Sequence, residues 1–91
     1  MRKSESPTQE CALADLPAGV PARVVAIDEE RLLVLAAHGI RPGVVVSVED
    51  DAPFGGPRII RLGPARLAIA RVVAAAIRVR PEPAADAART R

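Results

Sequence analysis

The sequence predicts a small, mainly β protein: short antiparallel strands closed into a barrel, with one short α-helix packed beside them. Three observations carry this. The chain has 91 residues, which is room for one hydrophobic core and not two. Its second half holds Val- and Ile-rich stretches too close together for parallel crossover helices, so their pairing should be antiparallel. A sheet of so few strands hides its edges best by closing on itself. Hydrophobic residues make up 49% of the chain but aromatics only 1%. The core must therefore come from Val, Leu, Ile and Ala, with Phe54 as the only ring.

The elements follow in order. Residues 1–12 are polar and mixed in charge and read as a disordered tail, and residues 81–91 (PEPAADAARTR) read the same way, leaving a domain over residues 13–80. Leu13 to Leu16 lead into the turn Pro17-Ala18-Gly19, which delivers the chain into a strand from Ala22 to Ile27. Asp28 is placed to cap a helix from Glu29 to about His38, whose first-turn acids suit the positive end of the helix dipole. Leu32, Leu35 and Ala36 form its apolar face, and Gly39 stands where a left-handed residue ends a helix. After the turn Arg41-Pro42-Gly43, Val44, Val46 and Val48 alternate as a half-buried strand, which Glu49-Asp50-Asp51 should end. A Pro- and Gly-rich loop from Ala52 to Pro57 precedes a strand at Arg58–Leu62, a turn at Gly63-Pro64 and a strand at Arg66–Ala70. Arg71–Ala75 reads as a short helical turn, and Ile77–Arg80 alternates apolar with basic as a closing strand.

Several function classes lack their chemistry in this chain. One His, one Cys, no phosphate-binding loop and no H-E-x-x-H or paired C-x-x-C motif leave no catalytic residues to name and no cofactor or metal site to assign. Cys11 cannot form an internal disulfide and fits a reducing compartment. No apolar run reaches the roughly 18 residues of a membrane helix, so a cytoplasmic protein without membrane insertion is expected. The net charge of +2 comes from arginines spread along the middle of the chain and interrupted by acids. Without aromatic platforms, that pattern is a solvated surface and not a nucleic-acid stripe. Three adjacent acids on a strand point to alternating faces and do not converge on a cation. His38 stands at the negative end of the helix dipole, where a basic side chain is favoured without any metal.

Taken in order, Leu13-Ala14-Asp15-Leu16-Pro17-Ala18-Gly19, Leu35, Gly39-Ile40-Arg41-Pro42-Gly43, Ala52-Pro53-Phe54-Gly55-Gly56-Pro57, Leu67-Ala68-Ile69 and Ala75-Ala76-Ile77-Arg78-Val79 resemble the FeoA family. The resemblance spans residues 13–79. It implies an SH3-like barrel, a fold also found at the C-terminal end of metal-dependent repressors. It further implies an accessory role in bacterial ferrous iron transport, with a FeoB-type membrane permease bearing a GTPase domain as partner. The chemistry and transport would then belong to the permease. The chain departs from the family pattern at three places: His38 replaces a Leu or Met, Val34 replaces an Arg, and Gly56 replaces an Asp or Asn.

On this reading Leu32, Leu35, His38 and Ile40, with the loop Pro53, Phe54, Gly55, Gly56 and Pro57, are the expected partner contacts. Core packing is an equal expectation for Leu32 and Leu35. The alternative function is a regulatory or metal-sensing module related to the repressor domain. Exposed strand edges are also compatible with weak self-association.

Overall fold

The computed structural model describes residues 10–82. Six strands form one antiparallel sheet: β1 (Cys11–Ala12), β2 (Ala22–Ile27), β3 (Val45–Asp51), β4 (Arg58–Leu62), β5 (Ala65–Ile69) and β6 (Ile77–Pro81). A 3-10 turn at Leu13–Asp15 follows β1, the helix α1 (Glu29–Ala37) links β2 to β3, and the short helix α2 (Arg71–Ala74) links β5 to β6. The strand order is β1-β6-β2-β3-β4-β5. β3 pairs with β2 through Val45 and Val46, then with β4 from Ser47 to Asp51, so it turns the corner between the two halves of the sheet.

The mainly β class with a short helix is as expected, but backbone closure into a barrel is not. β1 and β5 stand at opposite ends of the strand order. β1 is two residues long, too short to complete a ladder with β5.

The period of two sets the interior. Ala22 and Val24, Val46 and Val48, and Ile77 and Val79 are buried while Arg23, Arg78 and Arg80 face solvent. The boundaries of the expected tails shift. Cys11 and Ala12 pair with Val79 and Arg78, and Pro81 ends β6. Residues 1–9 and 83–91 lie outside the described residues. The turn after β1 also supplies core, because Leu13 and Leu16 are both wholly buried.

β3 ends at Asp51, the last residue of the acidic run, with a bulge between Val48 and Asp50 that re-aims the acids. Glu49 is ion-paired with Arg61 and Arg66, and Asp51 accepts a hydrogen bond from Arg58 at 2.6 Å and forms an ion pair with Arg71 at 3.2 Å. Arg58 falls in phase with Ile60 and so points inward, where it is 5% exposed. Its guanidinium donates to the carbonyls of Leu13 (2.8 Å) and Ala14 (2.9 Å), tying the N-terminal turn to the β3–β4 hairpin.

These pairs make acid stability specific. The hydrogen bond from Arg58, with the nearby positive charges, holds the Asp51 carboxyl below its ordinary value of 3.8. A depressed folded-state pKa stabilises the fold above the unfolded value, and that contribution is lost as pH falls through the folded value. Urea midpoints should therefore drop below about pH 4, and Asp51→Asn should lower the midpoint at pH 7 while flattening this acid limb. A limb of unchanged steepness in the variant would assign the loss to other carboxylates.

Candidate functional site

The C-terminal end of α1 is built by a Schellman motif, which folds the chain back on itself. Gly39 adopts φ +90°, a conformation that a residue with a Cβ enters only under strain, and a Cβ there would meet Leu62 Cδ2 at 3.1 Å. The Gly39 amide donates to the carbonyl of Ala36 and the Ile40 amide to that of Leu35, both at 2.9 Å. Ile40 is thereby laid against Leu35, the apolar contact that accompanies this motif, and both are buried. His38, at the helix cap, is left exposed.

Beside this corner lies an open, mainly apolar groove of about 180 Å³. Leu35, His38 and Ile40 form one wall, and Leu67 to Ala70 of β5 and its exit, with Val73 of α2, form the other. The exposed Val34, one helical turn before His38, extends the apolar surface on the α1 side. Three of the expected contact residues therefore converge here. Leu32 does not line the groove and is half-buried.

The loop is a separate feature. The Gly56 amide bonds the Pro53 carbonyl at 3.2 Å and the Ala52 amide that of Pro57 at 2.9 Å. Phe54 (φ 61°) and Gly55 (φ 74°) both lie in the left-handed region that a type I′ turn requires. For a phenylalanine this conformation costs about 1–2 kcal/mol, and the ring is fully exposed, so no core packing offsets the cost. Gly56 is there for space: a Cβ would stand 2.9 Å from that of Ala52. Phe54 lines no wall of the groove, but the Asp51–Arg71 ion pair ties the base of its hairpin to the first residue of α2.

Sequence reasoning missed the β5–α2 wall. Leu67, Ile69 and Val73 read as ordinary strand and helix hydrophobes, and only tertiary packing brings them beside His38. Cys11 is half-buried, and burial, with a smaller contribution from Asp15, pushes its thiol pKa up, which disfavours the thiolate needed for nucleophilic attack or metal ligation. Among the described residues, no three His, Cys, Asp or Glu side chains group closely enough to hold a metal ion. No helix among them is long and apolar enough to cross a membrane.

Comparison with known proteins places this architecture. The model of the FeoA domain matches residues 11–81. A crystal structure of an iron uptake regulatory protein (FeoA) is 31% identical, with a TM-score of 0.71 over 81% of this chain and 99% of that one. The solution structure of the FeoA protein from Chlorobium tepidum is 26% identical, with a TM-score of 0.72 over 79% of this chain and 70% of its own. A manganese-dependent transcriptional repressor shares the fold at 20% identity and a TM-score of 0.74, over 82% of this chain and 43% of the repressor. No curated protein matches the sequence.

Proposed function

The chain belongs to the FeoA family, and on that premise we propose that it is a non-enzymatic cytoplasmic accessory protein of bacterial ferrous iron transport. It binds and modulates a FeoB-type membrane permease carrying a GTPase domain. The observation that supports this reading is the groove, where Leu35, His38 and Ile40 meet β5 and α2 in an open apolar surface. The hairpin tip Pro53–Pro57, with its strained and exposed Phe54, supplies a second contact.

Modulation requires only that the groove and tip fit one state of the permease better than another. Burying one side chain of Leu or Phe size in the favoured state is worth about 2 kcal/mol, which shifts a two-state equilibrium roughly thirtyfold. A small partner without catalytic groups is thus sufficient. Deleting the gene should lower ferrous iron uptake at limiting iron; unchanged uptake would overturn the assignment.

A further inference from the structure

Among the described residues, the groove runs along a free sheet edge. β5 is the last strand of the sheet, and residues from both of its pleat faces, Leu67 with Ile69 on one and Ala68 on the other, line the groove together with Ala70 just beyond the strand. A strand shows both faces to one surface only along its edge.

The register identifies which backbone groups are free. Leu62 and Ala65 flank the two-residue turn Gly63-Pro64, so they form a hydrogen-bonded pair, and Ile60–Leu67 and Arg58–Ile69 repeat it. The intervening pairs Arg61–Arg66 and Ile59–Ala68 turn the backbone N–H and C=O groups of Arg66 and Ala68 away from β4. No turn, loop or cap bond among the described residues uses them. The edge carries neither proline nor bulge within Ala65–Ile69, and its one charged side chain is Arg66.

Charge indicates what fits. Beside the edge, Arg61 and Arg66 share the single carboxylate of Glu49, leaving one positive charge in excess on the outward face. Arg66 is 64% exposed. The inner side of the edge is the apolar groove.

Resting on the reading that the permease is the partner, we propose that β5 binds it by strand addition. The occupant is an extended permease segment with an acidic side chain facing Arg66 and apolar side chains, alternating with it, entering the groove. Its backbone pairs with Arg66 and Ala68, and period-two alternation places the two side-chain classes on opposite faces.

Ala68→Pro tests this directly. Because the Ala68 amide faces away from β4, proline there removes no bond of the sheet but blocks the added strand. The intact chain and detergent-solubilised permease should co-purify, with Ala68→Pro weakening binding tenfold or more at an unchanged melting temperature and Arg66→Glu weakening it in a salt-dependent way. Hydrogen exchange on the unmutated complex gives a readout independent of the proline variant's folding: the Arg66 and Ala68 amides should become protected. Co-purification without that protection would overturn strand addition and leave the permease reading standing. No co-purification of the wild-type chain would overturn both.

Discussion

Arg58→Ala is expected to lower the unfolding free energy by about 3 kcal/mol, read by urea denaturation at neutral pH. The substitution strands the carbonyls of Leu13 and Ala14, and leaving such a buried acceptor unsatisfied costs roughly 1–3 kcal/mol. Leu13 is wholly buried and Arg58 nearly so, so water does not readily replace the guanidinium. A domain of this kind has about 5 kcal/mol in total, so the variant keeps less than half of its stability. Arg58→Lys should recover little, because one ammonium cannot span both carbonyls and the Asp51 carboxylate as the planar fork does. A loss below about 1 kcal/mol would show that the N-terminal turn is held by Leu13 and Leu16 alone.

Leu35→Ala is expected to cost a similar amount, about 3 kcal/mol, by opening a cavity where α1 meets the sheet. Leu35 is 6% exposed and belongs to the core cluster as well as to the groove wall. Its substitution therefore tests the fold before it tests docking. His38 separates the two. It lines the groove yet is exposed, so His38→Glu should change stability by less than about 1 kcal/mol, mainly through the helix dipole, while placing a charge at the apolar opening. Equal destabilisation by both variants would mean that His38 also serves the core.

The local period was readable in the sequence where strands were long enough to show it. β2 and β4 begin and end at the expected residues, because each is a short run rich in β-branched side chains bounded by turn residues. The start of α1 at Glu29 and the left-handed Gly39 were readable locally, although the Asp28 side chain makes no cap bond. β1 was not, since two residues carry no period. Leu13 and Leu16 look locally like the approach to a turn, although their spacing of three is what a single 3-10 turn needs to bury both. Arg58 looked like any other arginine of the middle region, and only its phase with Ile60 marks it as inward-facing. The acidic run marks the end of β3, but its ion-pair partners lie on β4, β5 and α2, invisible to a local window.

The candidate site divides along the same line. Leu35, His38 and Ile40 come together through a local device, the Schellman turn, which a sequence reveals by its glycine. The opposing wall exists because β4 and β5 carry Leu67 and Ile69 back across the fold, a long-range event. The open edge of β5 follows from topology alone, which is why a closed barrel was expected and a free strand was found.

The most direct test of the central claim is ferrous iron uptake in cells lacking the chromosomal gene, complemented with the wild-type chain or with His38→Glu at equal protein levels. The groove account predicts that wild type restores uptake and that folded His38→Glu does not. Full restoration by His38→Glu would contradict docking through the groove.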